Sequence, residues 1–344
     1  MPKMTERPKH IIVAGGAGFL GSHLCERLLA EGHYVICVDS YVSGDKANLK
    51  HLSRKMRFRS IAHDICSDLE IDGQIDQIYN LACQASPPRY QQDPTHTLMT
   101  SVIGTDKLLK LASKHSARFL QASTSEVYGD PQQHPQKEDY WGNVNCTGPR
   151  ACYDEGKRAA ETLCFDRLRR GEADARIARI FNTYGPRMRP DDGRIISNFI
   201  LQALRDEPLT IYGDGSQTRS FCFVDDLVEG LVRLMNRPEN PGLPVNLGNP
   251  GEYTVREVAE KVAELTATEL VLEDRPLPVD DPQRRRPDIG RALSLLGWRP
   301  VTELSDGLKQ TIDWFRGSAP VLPVHASGAG RSPAPALSAN AERR

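Results

Sequence analysis

The stretch "HIIVAGGAGFLGSHLCERLLAEG" (residues 10–32) passes from an aliphatic run through a glycine-rich turn into an amphipathic helical pattern, with Gly15, Gly18 and Gly21 spaced as GxxGxxG. Glycines at these positions permit a tight turn and a close backbone approach to a pyrophosphate, whose charge then sits at a helix N-terminus. Glycine-rich turns end many strands, so the flanking elements carry the weight. Roughly twenty residues further on, "YVICVD" (34–39) ends in Asp39, where an acid hydrogen-bonds the ribose hydroxyls of a bound adenosine. The competing reading of Asp39 is a turn residue at a strand end. Taken together, the segments predict a dinucleotide site, and an anionic Asp39 repels a 2′-phosphate, so the expected cofactor is NAD rather than NADP.

Working outward, "QIYNLA" (77–82), "RFLQAS" (118–123) and "ARIARIFN" (175–182) are further short buried-strand patterns, separated by helical stretches such as "TDKLLKLASKH" (105–115). This alternation predicts an α/β fold: a Rossmann-type doubly wound parallel sheet with a smaller α/β substrate-binding lobe. The expected dinucleotide-binding domain covers 9–181, with 220–246 returning to it through "FVDDLVEGLVRLMN". The lobe covers 182–219 and 247–316, where Pro and Gly become more frequent. Residues 317–344, rich in Ala, Pro, Ser and Gly, read as a disordered tail.

The chain has 344 residues and a formal net charge of -1, so it offers no broad field for nucleic acid or an acidic membrane surface. Any anion it binds is held locally. The eight cysteines include no CxxC pair, which predicts reduced thiols and no metal site. No segment supplies about eighteen unbroken apolar residues, and a cytoplasmic protein is expected.

"GPRACYDEGKRAAE" (148–161) places Tyr153 four residues before Lys157, on one face of a helix. On most helices that pair is a solvated surface feature. Here it follows a dinucleotide site and the strand end "STSEVYG" (123–129). A phenol titrates near about pH 10, and a neighbouring ammonium and a positive nicotinamide ring both favour the phenolate. Thr124 is placed to hydrogen-bond a substrate hydroxyl, or to cap a turn. Glu126 brings a carboxylate to the same strand end, or serves as a salt-bridged loop acid.

At these residues the chain resembles the extended short-chain dehydrogenase/reductase family and, within it, the UDP-glucuronate decarboxylases. The resemblance runs from about His10 to Phe315, through "STSEVYGDP", "HPQKEDYWGNVN", "GPRACYDEGKR", "ARIFNTYGPRM" and "DDPQRRRPDI". It implies that Tyr153, helped by Thr124 and Lys157, takes the proton from the C4 hydroxyl of the sugar of UDP-glucuronate while NAD accepts the hydride. The resulting β-keto acid loses carbon dioxide, C5 is protonated, and the returned hydride yields UDP-xylose. Glu126 then positions the sugar, and Arg285, otherwise part of a solvated "RRR" run, serves decarboxylation and reprotonation.

The expected cofactor contacts are Gly15, Gly18, Phe19, Leu20, Gly21, Asp39, Asp64, Ile65, Leu81 and Thr100, together with Tyr153 and Lys157. Asn182 and Arg219 are expected on the diphosphate, Tyr212 at the uridine unless it is an ordinary strand tyrosine, and Tyr90 closing over the sugar. A homodimer, paired through the helices around 97–115 and 153–170, is implied by the same resemblance. Met99 stands where a lysine is usual, and Ser101, Cys83, Gln84 and Ser40 also depart from the pattern, leaving carboxylate recognition open. The alternatives are a UDP-sugar 4-epimerase, a nucleotide-sugar 4,6-dehydratase, against which Ser125 stands where that family has Asp, and an inactive NAD- or UDP-sugar-binding relative.

Overall fold

The aliphatic runs identified in the sequence become the centre of a seven-stranded parallel sheet in the computed structural model, which describes residues 7–276 and 284–318. Across the sheet the strands run Val245–Leu247, Asp174–Ile180, Arg118–Thr124, Gln77–Asn80, His10–Ala14, Tyr34–Asp39 and Phe58–Ala62. Each neighbouring pair is parallel. Successive side chains alternate between the two faces of a strand, and the two cores follow that alternation. Ile11, Val13, Tyr79, Leu120 and Ala178 pack into one core, whereas Ile12, Ala14, Ile78, Phe119 and Ile177 pack into the other.

Helices Phe19–Ala30 and Val224–Asn236 cover the first face through Leu24, Leu28, Leu227 and Leu231. Helices Thr105–His115 and Ala151–Arg169 cover the second, through Leu108, Leu109, Ala112 and Cys164. The strand order reverses between His10–Ala14 and Gln77–Asn80. Open α/β sheets bind their ligands at the carboxyl end of such a reversal. The run around residues 97–115, read from sequence as one helix, is broken by a π-type turn at Thr100–Gly104, a feature that recurs at functional sites. The turn brings Gly104 against Ile65, where an added Cβ would lie 2.4 Å from Ile65 Cδ1.

Beyond residue 182, helices Ile195–Leu204, Val255–Thr266 and Leu304–Ser318 accompany small sheets. Strand Leu209–Tyr212 pairs in parallel with Leu272–Arg275, and Thr218–Ser220 is flanked by Glu252–Thr254 and Arg284–Arg285. Helix Gly290–Leu296 and Trp298 return to the first sheet: the Trp298 indole donates to the Asp226 carbonyl at 2.8 Å. The tail expected over 317–344 lies outside the described residues beyond Ser318, where the last helix ends. No helix among the described residues is long and apolar enough to cross a membrane.

A polar network ties the long helix Ala151–Arg169 to the strands beneath it. Arg179 makes bonds of 3.0 and 2.8 Å to the two oxygens of Glu161, and it reaches the Tyr128 hydroxyl at 3.0 Å. Ser123 Oγ donates to Glu161 at 2.5 Å. Removing one partner of a buried ion pair strands the other charge. Arg179→Ala is therefore expected to lower stability by about 3 kcal/mol, read as a fall in the urea midpoint.

Candidate active site

The glycine turn leaves the sheet at its reversal point. Gly15 has φ +76°, and a Cβ there would meet Ala82 N at 2.8 Å; at Gly21 it would meet Gly15 O at 2.1 Å. Both positions exclude side chains because backbone occupies the space. Gly18 precedes helix Phe19–Ala30 in an extended conformation, and no side chain caps that helix. The first amides of the helix therefore point toward the turn as an anion cradle, which fits the pyrophosphate of NAD.

Asp39 ends its strand with one carboxylate oxygen accepting from Ala17 N at 2.9 Å and the other from Tyr41 N at 2.8 Å. Burial raises its pKa above the usual carboxylate value, and these two backbone bonds oppose the rise. The turn role anticipated for Asp39 is thus present alongside its place in a hollow lined by Asp64, Ile65, Leu81 and Thr100. Asp64 accepts from Cys66 N at 2.9 Å and lies 3.1 Å from His96 Nε2. These three residues are of metal-ligand type, with ligand atoms within 4.8 Å of one another. Asp64 already bonds His96, and the Cys66 thiol lies 3.8 Å from Thr100 Oγ1.

A cleft of about 500 Å³ opens from the glycine turn toward the second part of the chain. It gathers Gly15, Gly18, Phe19, Leu20, Gly21, Leu81, Tyr90, Thr124, Glu126, Tyr153, Lys157, Asn182, Tyr212, Arg219 and Arg285. Thr124 caps the turn Ser125–Tyr128, its hydroxyl accepting from Glu126 N at 3.2 Å, and it also lies in hydrogen-bonding reach of the Tyr153 phenol. Lys157 donates to the Ala122 carbonyl at 2.9 Å, with Nζ 5.8 Å from the Tyr153 ring centre.

A neighbouring lysine is expected to draw the phenol toward ionisation. In the structure, burial dominates and pushes the Tyr153 pKa well above the usual phenol value, Cys83 adds to the rise, and the Thr124 hydrogen bond opposes it. Tyr90 is already 1% exposed, its ring stacked on that of Tyr153 at 5.1 Å and 6°. It forms a wall of the cleft rather than an open flap.

Arg285 stands out within "RRR" by strand alternation: Arg284 is exposed, Arg286 half-buried, and Arg285 only 1% exposed. It lies beside Arg219 in the parallel register of Thr218–Arg219 with Arg284–Arg285. Fully buried Gln136 pegs this segment: its N–H donates to Arg286 O and its Oε1 accepts from Arg286 N, both at 2.9 Å. Arg285 then donates to Ser125 O at 2.7 Å and to Glu126 Oε2 at 3.2 Å. Burial alone would raise the Glu126 pKa, but Arg285, Arg150 and Arg219 hold it below the usual carboxylate value.

Sequence reasoning missed Arg150, three residues before Tyr153, whose Nη2 lies 2.6 Å from Glu126 Oε2. It also missed Arg194, paired with Asp192 on the cleft wall, and Asp154, a buried carboxyl whose Oδ1 has no hydrogen-bond partner. Arg150 and Asp154 lie beside Tyr153 in the sequence, whereas Arg194 has no such neighbour. Met99 is 43% exposed and is not among the residues lining either hollow.

A cleft that joins a glycine-turn cradle to a buried tyrosine and lysine at a sheet reversal defines a dinucleotide-dependent enzyme of the Rossmann class. The chain belongs to the NAD dependent epimerase/dehydratase family, whose model matches residues 11–248. It is similar to UDP-glucuronic acid decarboxylase 1 of Danio rerio, at 54% identity over 307 residues, covering 89% of this chain and 72% of that protein. It is also similar to UDP-glucuronic acid decarboxylase 6 of Arabidopsis thaliana, at 52% identity over 315 residues, covering 91% of each. Among solved structures it resembles a UDP-glucuronic acid 4-epimerase from Bacillus cereus in complex with UDP-glucuronic acid and NAD, with TM-score 0.80 and 28% identity, covering 90% of this chain and 99% of that one.

Asp154 provides a pH test. Burial, then repulsion from Glu126, raises its pKa from 3.8 to about 7, against the pull of Arg150 and Arg285. The folded state thus keeps a proton that the unfolded chain releases, and its stability falls as pH rises from 3.8 to about 7. Asp154→Asn escapes that loss. Urea unfolding is expected to show the variant gaining on the wild type between about pH 4 and about pH 8.

Proposed function

We propose that the protein is an NAD-dependent UDP-glucuronate decarboxylase, converting UDP-glucuronate to UDP-xylose and carbon dioxide through a 4-keto sugar. The observation that carries this reading is the Glu126–Arg285 pair, held within the same cleft as Thr124 and Tyr153. The identity shared with UDP-glucuronic acid decarboxylases over most of the chain supports it. Bound NAD supplies a reversible two-electron acceptor and, when oxidised, a positive charge.

The turn at Gly15–Gly21 holds the pyrophosphate, and Asp39 takes the ribose hydroxyls. Tyr153 Oη accepts the C4 hydroxyl proton and later returns it, with Thr124 orienting that hydroxyl. Burial opposes the phenolate, and the Lys157 ammonium together with oxidised NAD, when bound, would supply the positive charge that offsets it. Lys157, tied to the Ala122 carbonyl, is held where its charge faces the Tyr153 ring.

A ketone at C4 turns the C5 carboxylate into a β-keto acid. The C5–carboxylate bond then breaks with its electrons entering an enolate, and C5 takes a proton. Glu126, whose pKa its arginines hold below the usual carboxylate value, orients the sugar. Arg219 and Asn182 serve the diphosphate and Tyr212 the uridine. Ser125, where a dehydratase would carry an acid, instead gives its carbonyl to Arg285. The same reading carries a cytoplasmic homodimer, for which the exposed Met99 and Ile103 offer an apolar face.

Purified protein given UDP-glucuronate is expected to release carbon dioxide and form UDP-xylose. Turnover of UDP-glucose without carbon dioxide would instead indicate an epimerase or a dehydratase. Tyr153→Phe is expected to lower the rate by about 10²- to 10⁴-fold while cofactor binding persists, checked by titration with NADH followed by its fluorescence.

A further inference from the structure

Beside the hollow that Asp39 lines, Asp64, Cys66 and His96 bring three different donor types together, and none of them lines the cleft that holds Tyr153. Asp64 and Cys66 sit on the loop after strand Phe58–Ala62, whereas His96, 32 residues after Asp64, comes from helix Pro94–Met99. The loop is set by its own backbone: Ser67 N donates to Asp64 O and Cys66 N to Asp64 Oδ1, both at 2.9 Å. Ile65, between the two donors, is buried against Gly104 of the π-type turn. His96 is fixed through its own N–H, which donates to Asp93 Oδ1 at 2.9 Å.

The folding of two separate segments thus leaves Asp64 Oδ2 3.1 Å from His96 Nε2, with Cys66 Sγ in the same group and all three ligand atoms within 4.8 Å of one another. The Asp64 and His96 side chains are 40% and 29% exposed, so an ion reaches them from solvent. A carboxylate, a thiolate and an imidazole form a mixed set that suits zinc; magnesium and calcium prefer oxygen alone. Tetrahedral zinc, with bonds of about 2.0 to 2.3 Å, sets its ligands about 3.3 to 3.8 Å apart. Side-chain rotations that draw the three atoms in by about 1 to 1.5 Å complete that geometry and leave a fourth position open. Thr100 Oγ1, 3.8 Å from Cys66 Sγ, stands ready to hydrogen-bond a bound thiolate from outside the ligand set. The scattered cysteines hid this group in the sequence, because its donors are paired by the fold and not by a CxxC spacing.

We propose that Asp64, Cys66 and His96 form a three-ligand zinc site, and that zinc there and NAD exclude one another. The exclusion follows from Asp64: its Oδ1 is committed to Cys66 N, so Oδ2 is the oxygen left for either the ion or the adenine end of the cofactor.

The full chain, freed of nucleotide, is titrated with cobalt(II) as a spectroscopic probe and then with zinc. A single equivalent of cobalt is expected to give a thiolate-to-cobalt charge-transfer band, bleached by zinc. Cys66→Ser is expected to abolish the band, which separates this thiol from the other cysteines. His96→Gln is expected to weaken zinc by about a hundredfold or more, beyond the cost of losing an outer hydrogen bond. Saturating zinc is expected to weaken NADH binding, followed by NADH fluorescence, about tenfold or more in the wild type and less than about threefold in His96→Gln. Absence of the band, its persistence in Cys66→Ser, or NADH affinity indifferent to zinc overturns the inference. No sugar nucleotide enters these titrations, so their failure leaves the decarboxylase reading intact, and a protein that releases no carbon dioxide strikes that reading alone.

Discussion

Lys157 donates to the Ala122 carbonyl, and one helical turn later Glu161 accepts from Ser123 and from Arg179. These bonds fasten one face of the long helix to the end of the central strand Arg118–Thr124. Tyr153 lies one turn before Lys157 on that face, so its phenol has little choice but to sit beside Thr124. Any rotation of the helix that moved Tyr153 away would strand Glu161 and Arg179 as buried charges, which is costly. The geometry of the reaction centre is therefore secured in part by Glu161 and Arg179, which are not among the residues lining the cleft.

A second constraint acts from the opposite side. The segment around Arg285 adds to the small sheet beside Thr218–Arg219 and is pegged by Gln136, so that a side chain from late in the chain closes over the turn following Thr124. Glu126 sits between the two halves, bonded to Arg150, which precedes the long helix, and to Arg285 from the small sheet. Its charge is thus set by contacts from both parts of the chain. The same packing that holds the Glu126 pKa down pushes that of Asp154 up, so the two carboxyls are shifted in opposite directions.

The glycine turn, the parallel strands and the Tyr153–Lys157 pair were readable because each depends on neighbours close in sequence: a strand ending in a tight turn, alternation of period two, and the i, i+4 face of a helix. The break at Thr100–Gly104 was not, since its residues continue a helical pattern and only packing against Ile65 gives the turn a place. Arg150 read as an ordinary charge before a helix, and nothing local sets it apart from Arg158 or Arg167. The middle arginine of "RRR" was separated from its neighbours only by resemblance until strand alternation buried it.

By itself the sequence determined the class of sheet, the place of the dinucleotide turn and the tyrosine–lysine helix, because local backbone preferences and hydrophobic periodicity act over a few residues. Tertiary structure alone decided which arginines reach Glu126, that Asp154 is buried without a partner for one oxygen, and that burial raises the Tyr153 phenol. The physical reason is that charge states depend on desolvation and on partners brought together by folding. Arg285 and Ser125, joined by a 2.7 Å bond, are 160 residues apart in the chain.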